Sequence, residues 1–363
     1  MMPSTVKGIW LHGYWFDAKA LASNQSTADL QQLGVPTPVQ SFLQAWFGTA
    51  DPIVAHTSGS TGRPKAIKLS RDQMIASAQL TALHFGFSAG EKALLCLSAD
   101  FIAGKMMVVR ALVSGLNLYT AAPTQRPDLL FPEQHFNFTP LVPAQLFAML
   151  QANANTEALG TLLLGGSDLN PDLMALLPQL GVQQLWQGFG MTETVSHLAL
   201  RQLHPVFEAA YMPLPGTLVE SDASGCLRAW GAATQYRWLQ SQDVIALELN
   251  GSFRWLGRAD HMINSGGHKI HPEQLEAKLL QLAVRLPALA PLRHQAFYIS
   301  QQSHPQFGAV PVMVLEGAET SETASLAHWQ VLLQEHLPAH EMIRGLRFEP
   351  QFARTPNGKL LRH

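Results

Sequence analysis

The feature that most constrains the fold of this chain is an alternation: short apolar runs of strand length, each followed by a helix-start signal. Residues 52–57 (PIVAHT) form one such run ending in a glycine-rich turn, and Ala66–Leu69 resumes it just before Ser70 and Gln73. A serine followed three residues later by glutamine is a capping box, which satisfies two orphan backbone N–H groups reciprocally, so a helix is expected to begin at about Arg71. Residues 93–97 and 162–164 read as buried strands, and Asn170-Pro171 opens a further helix with a capping side chain and a proline at its first position. Such alternation favours a layered α/β fold. Beyond Tyr211 the texture becomes β-rich. Ser224-Gly225 punctuates one hairpin, and Asn250-Gly251 sits between residues 244–249 and 252–256 as a two-residue type I′ turn would.

Residues 257–267 (GRADHMINSGG) are dense in glycine and turn formers, and Pro272 then opens an amphipathic helix to about Leu282. The expected organisation is a large layered α/β domain over residues 1–259 with a β-rich subdomain, followed by a small α+β domain over 260–363. The total of 363 residues agrees, since it exceeds what one core usually organises.

Charged residues are only 14% against 47% hydrophobic, which excludes a disordered chain. A net charge of −2 leaves no global field to recruit nucleic acid or an anionic membrane, so any polyanion must be small and locally held. Cys96 and Cys226 form no Cys-x-x-Cys pair, which fits a reducing cytoplasm. The apolar N-terminus is interrupted by His12 and Asp17 and does not read as a signal peptide. Residues 101–122 carry Lys105 and Arg110 and fall short of the roughly 20 apolar residues a membrane span needs. Among the histidines, His336 and His340 are separated by Pro338, and His268 and His271 have no acidic third ligand nearby, so no zinc is expected.

Four segments carry chemistry. In Thr57-Ser58-Gly59-Ser60-Thr61-Gly62-Arg63-Pro64-Lys65 the glycines let backbone N–H groups approach an anion, the hydroxyls add donors and Lys65 adds charge. It lacks the spacing of a Walker A loop, and a flexible Ser/Gly linker would share its composition. In Gln187-Gly188-Phe189-Gly190-Met191-Thr192-Glu193-Thr194, Phe189 can stack on a base and Glu193 can hold Mg²⁺. A glycine turn followed by a helix with an acidic first turn is the blander alternative. Asp243 and Gly257-Arg258-Ala259-Asp260 offer a carboxylate for ribose hydroxyls and a guanidinium for phosphate, although each alone is commonly a surface ion-pair residue. Arg354-Thr355-Pro356-Asn357-Gly358-Lys359 presents one lysine close to the end of the chain, where a frayed tail is the default.

In this order the four segments resemble the adenylate-forming superfamily of acyl-CoA synthetases, peptide-synthetase adenylation domains and luciferases. TSGSTGRPK resembles its phosphate loop, GFGMTET its adenine and magnesium motif, GRADHMINSGGHKIHPEQLE its hinge and RTPNGKLLR its catalytic-lysine motif. FIAGKMMVVRALVSG, FTPLVPAQL and LLLGGSDL are similar to the short bacterial o-succinylbenzoate-CoA ligases of menaquinone synthesis. Only residues 1–56 precede the phosphate loop, against a longer lobe in most relatives. Phe101 stands where many relatives carry a gating histidine, and Phe189 replaces the commoner tyrosine.

The resemblance implies an ATP-, Mg²⁺- and coenzyme A-dependent ligase that joins a carboxylate to AMP and then to the thiol. Lys359 would bridge the carboxylate and α-phosphate, Thr192 would donate to that phosphate and Glu193 would hold the metal. Thr57, Ser58, Gly59, Ser60, Thr61, Gly62 and Lys65 would hold the outer phosphates. Gly165, Gly166, Gln187, Phe189 and Gly190 would surround adenine, and Asp243 with Arg258 would take the ribose. Asp260 would be the hinge of a mobile small domain, and Gly266, Gly267 and His268 would line the pantetheine path. Phe101, Lys105, Arg110 and His197 are the candidates for the acid pocket, where a dicarboxylate needs a basic partner. Transfer to a carrier protein, or a non-catalytic acyl-adenylate binder, are the alternatives. A homodimer is the expected assembly if the shorter lobe exposes apolar surface.

Overall fold

The computed structural model describes residues 6–48, 52–56, 65–166, 169, 171–318, 326–354 and 360–362. Among these the largest sheet has nine strands, in the order Met212–Pro213, His197–His204, Leu185–Gly190, Thr161–Leu164, Phe138–Leu141, Lys92–Leu95, Asn117–Thr120, Gly8–Leu11 and Tyr14–Asp17. Neighbours are parallel from Leu185–Gly190 across to Gly8–Leu11, and antiparallel strands finish both edges. Alternate side chains point to opposite faces of a strand, and each face here has its own core. Ala93, Leu95 and Leu163 enter one apolar cluster, whereas Leu94, Cys96, Leu162 and Leu164 enter the other. The strands expected at 93–97 and 162–164 are therefore central and covered on both sides.

Helix Arg71–Phe85 begins with the capping box: Gln73 N donates to Ser70 Oγ at 3.2 Å and Ser70 N to Gln73 Oε1 at 3.0 Å. It stops at Gly86, whose φ of +68° suits a residue without a Cβ. Helix Ile102–Ser114 is buried along most of its length, and Arg110 with it at 2% exposure. The apolar stretch at 101–122 is thus a core helix and a strand, and among the described residues no helix is long and apolar enough to cross a membrane.

A four-stranded antiparallel meander follows: Leu218–Ser221, Cys226–Trp230, Leu239–Leu247 and Phe253–Arg258. Its hairpins differ from the two-residue turn expected at Asn250-Gly251. Glu248 N donates to Ser252 O at 2.8 Å and Gly251 N to Glu248 O at 3.0 Å, leaving a three-residue loop. Asn250 spends its side chain accepting from Ser252 N at 3.0 Å, so only Gly251, at φ +83°, takes the left-handed position of a bulge glycine. The Asp222–Cys226 loop is built alike around Gly225 at φ +89°. A third sheet has the order His268–Ile270, Ile263–Ser265, Gly308–Glu316, Phe297–His304, with Gly345–Glu349 also paired to Gly308–Glu316. Helices Pro272–Arg285 and Leu326–Leu333 pack on it, in a core drawn from residues 263–348.

Candidate active site

In open α/β sheets ligands bind outside the carboxyl ends of the parallel strands. Two glycine segments meet there. Thr161–Leu164 runs into Gly165 and Gly166, and its parallel neighbour Leu185–Gly190 runs into Met191 and the turn Thr192–Thr194, with Leu164 opposite Gln187. The glycine turn weighed as the blander alternative for 188–190 is strand instead. A Cβ on Gly188 would press on the His197 side chain, and one on Gly190 would strike the Ser196 carbonyl, so both glycines seat the next strand. Gln187, expected to line adenine, stands on the same strand. It is buried at 3% exposure, and its Oε1 accepts from Arg201 Nε and Nη2 at 2.9 and 2.6 Å. Phe189 lies against Tyr211 and Phe253, with ring centroids 5.4 and 5.2 Å away.

Thr192 is buried and Glu193 half-buried in the turn that follows. The Glu193 carboxylate makes no hydrogen bond or ion pair with a described residue, and no group of three metal-ligating side chains occurs among those residues. That fits Mg²⁺, which takes one or two carboxylates and fills its shell with phosphate oxygens and water. Val195 then adopts φ +68° and ψ −48°, with Ser196 N donating to Thr194 O at 2.7 Å. This strained, rare γ-turn in a β-branched residue reverses the chain and hands Ser196 and His197 to the buried helix Ile102–Ser114.

There Arg110 Nη2 donates to Ser196 Oγ at 2.6 Å and faces His197 Nδ1 at 3.4 Å, while its Nε reaches Thr81 Oγ1 at 3.3 Å. Thr81 also donates to the Ser77 carbonyl at 3.1 Å and contacts His197 Nε2 at 3.1 Å. One proton assignment satisfies all of these: a neutral His197 with its proton on Nε2, given to Thr81, and a lone pair on Nδ1 turned to Arg110. Burial, then the charges of Arg110 and His84, hold His197 well below its ordinary pKa. Burial also pulls Arg110 down to about 10. No carboxylate of a described residue pairs with Arg110.

The acid-pocket candidates therefore separate. Arg110 and His197 come together, whereas Lys105 donates to the Ala99 and Asp100 carbonyls and lies 5.9 Å from the Phe42 ring centroid. Five residues of helix turn Lys105 onto another face than Arg110. Phe101 caps the same helix with extended backbone.

Asp243 and Arg258 are register partners on antiparallel strands, and Asp243 accepts from Trp255 Nε1 at 3.0 Å. Arg258 forks onto Asp260 at 2.9 and 2.7 Å rather than onto Asp243, so the expected hinge residue is clasped to the strand before it. Burial works to raise the Asp260 pKa, but the Arg258 hydrogen bond and charge bring it below the ordinary value. Gly266 and Gly267, at φ +56° and +84°, make a two-residue hairpin turn, and His268 stacks on His340 at 4.3 Å. Thr57, Ser58, Gly59, Ser60, Thr61, Gly62 and Lys359 lie outside the described residues. The chain on either side is paired: His56 opposite Ala66, beside Lys65, and Arg354 opposite Leu360. Arg201, Thr81, Ser196 and Trp255 were not expected at the site, and nothing local in their sequence marks them.

A family model described as AMP-binding enzyme matches residues 23–221. The chain is 28% identical over 326 residues to the 2-succinylbenzoate–CoA ligase of Salmonella typhimurium, an alignment covering 86% of this chain and 68% of that protein. It is 33% identical to a solved acyl-CoA synthetase (AMP-forming)/AMP-acid ligase II-like protein of Dyadobacter fermentans, covering 89% and 91% of the two chains with a TM-score of 0.59. The O-succinylbenzoate coenzyme A synthetase of Bacillus subtilis, solved with ATP and magnesium ion, shares the fold with a TM-score of 0.72 at 22% identity, over 85% of this chain and 68% of that one. With its family model covering more than half of it, this chain belongs to the AMP-binding enzyme family.

Proposed function

We propose that the chain is an AMP-forming acid–coenzyme A ligase whose acid is o-succinylbenzoate, acting in the cytoplasm in menaquinone biosynthesis. The observation that carries the choice of acid is Arg110, a buried cation with hydroxyl and imidazole partners but no counter-ion among the described residues, close behind the Thr192–Thr194 turn. A cation held this way is costly unless an anion arrives. A dicarboxylic acid can bring one, using one carboxylate for reaction and the other for Arg110.

The reacting carboxylate and ATP are both anions, so the protein must neutralise and align them. Lys359 bridges the carboxylate and α-phosphate, Thr192 donates to that phosphate, and the loop from Thr57 to Lys65 holds the outer phosphates. Glu193 would hold Mg²⁺, which would neutralise phosphate charge. Asp243, oriented by Trp255, takes the ribose hydroxyls, and Phe189 faces adenine alongside Gly165, Gly166 and Gly190. Residues 260–363 form the mobile domain, hinged at Asp260, and bring Gly266, Gly267 and His268 to the coenzyme A thiol for the second step.

The test is pyrophosphate release with ATP and Mg²⁺ across o-succinylbenzoate, benzoates, coumarates and fatty acids, with and without coenzyme A. Turnover confined to o-succinylbenzoate and dependent on coenzyme A is expected. Turnover with monocarboxylates alone overturns the assignment of the acid.

A further inference from the structure

One turn before Thr81, on the same face of helix Arg71–Phe85, lies Ser77. It is 1% exposed, and its Oγ has no hydrogen-bond partner among the described residues. Buried hydroxyls are normally satisfied, and one that is not calls for an explanation. Ser77 faces a cavity of about 10 Å³ that it lines together with Thr194, His197, Thr217, Trp230 and Thr234. That is room for about one water molecule. The same His197 contacts Arg110 on its other side, so an unused donor and a cation with no carboxylate partner, both among the described residues, stand on either side of one imidazole.

The cavity is roofed by Ala232–Thr234, and the roof is fastened to the start of helix Arg71–Phe85 by two side-chain bonds. Gln73 Nε2 donates to Ala233 O and Gln235 Nε2 to Ser70 Oγ, both at 3.2 Å. Gln235 and Tyr236, at φ +54° and +55°, hold the left-handed conformation side by side without being glycine. Such backbone is strained and persists only where its surroundings hold it. Ala233 also packs against the core, so two neutral hydrogen bonds and one small apolar side chain fasten this roof to the rest of the domain.

We propose that Ser77 is a specificity-determining residue, donating a hydrogen bond to an oxygen acceptor of the acid substrate remote from the reacting carboxylate, in the space opened when the 232–236 segment lifts. The inference rests on the ligase reading above and names a contact within its acid pocket. An acid with a second carboxylate or a ketone uses this donor, and an unsubstituted aromatic acid leaves it idle.

Calorimetric titration of the full chain, wild type and Ser77→Ala, with o-succinylbenzoate and with benzoate decides it, with thermal midpoints measured on the same samples. Ser77→Ala is expected to lower the affinity ratio of o-succinylbenzoate over benzoate by about tenfold, the worth of one hydrogen bond. Its midpoint should hold or rise, because an unsatisfied buried hydroxyl has been removed. An unchanged ratio overturns the proposal. If wild-type turnover with o-succinylbenzoate and coenzyme A is intact in that preparation, the ligase reading still stands. A wild-type protein that binds ATP but neither acid overturns both.

Discussion

Arg110→Met removes the buried cation while keeping an unbranched apolar stem of similar reach. Two unit charges about 4 Å apart at an effective dielectric near 20 interact by about 4 kcal/mol, and hydrogen bonds to charged groups measured by mutation are worth about 1.5–3 kcal/mol. A loss of about 2–4 kcal/mol in ground-state binding corresponds to a KM for o-succinylbenzoate raised by about 30- to 1000-fold. The KM for ATP should stay within about twofold, because Arg110 touches Ser196, Thr81 and His197 and none of the residues assigned to the nucleotide. Stability should change little. The substitution leaves three neutral groups with one donor fewer, but it also removes a desolvated charge that has no counter-ion among the described residues, and the two effects oppose each other. Arg110→Lys keeps the charge but not the planar fork that reaches Thr81 and Ser196 together, so it should recover only part of the affinity. Initial rates of pyrophosphate release against acid concentration at saturating ATP supply the KM, and a thermal melt confirms folding. A KM for o-succinylbenzoate within about threefold of wild type in folded Arg110→Met would show that the buried guanidinium serves packing alone.

Lys105→Met, by contrast, should leave the preference for a dicarboxylate over benzoate unchanged and lower the melting temperature by a few degrees, since its ammonium is bonded to the Ala99 and Asp100 carbonyls. A raised KM for the dicarboxylate alone would contradict that placement. His197 is held well below its ordinary value of 6.5, so below that pH the unfolded chain binds a proton that the folded chain refuses. Its contribution to stability is full above 6.5 and declines as the pH falls toward its lowered folded value, so the melting temperature should drop between about pH 7 and pH 5. His197→Gln should flatten that part of the profile. Lys359→Ala should slow adenylation by about 10²- to 10³-fold in single turnover, the scale for one preorganised charge contact, while thioester formation from supplied acyl-adenylate persists. Equal loss of both half-reactions would remove the lysine from the first step.

What the sequence made legible is local chemistry. Ser70 and Gln73 start their helix as read because both capping partners lie within one turn, and the strands at 93–97 and 162–164 declare themselves by unbroken apolar runs. The order of the motifs pointed to the family for the same reason, each being a contiguous segment. What stayed hidden depends on partners far along the chain. Lys105 and Arg110 are cations on one apolar helix, and nothing within that helix says which serves a ligand. The difference comes from the Ala99 and Asp100 carbonyls folding back on Lys105, and from Thr81 and Ser196, 29 and 86 positions from Arg110, meeting it on another face. Gly190 read as part of the adenine surround, yet the space of the missing Cβ atoms at Gly188 and Gly190 is filled by His197 and Ser196. Both misreadings meet at Val195. A β-branched residue is among the last that local preference would put at φ +68°, and only that reversal brings Ser196 and His197 onto Gly188, Gly190 and Arg110 together. A backbone held against its own preference needs the surrounding packing to enforce it. Here that packing is the bed of glycines on one side and the anchored guanidinium on the other, so the geometry of the proposed acid pocket is set by the element that local sequence rules could least foresee.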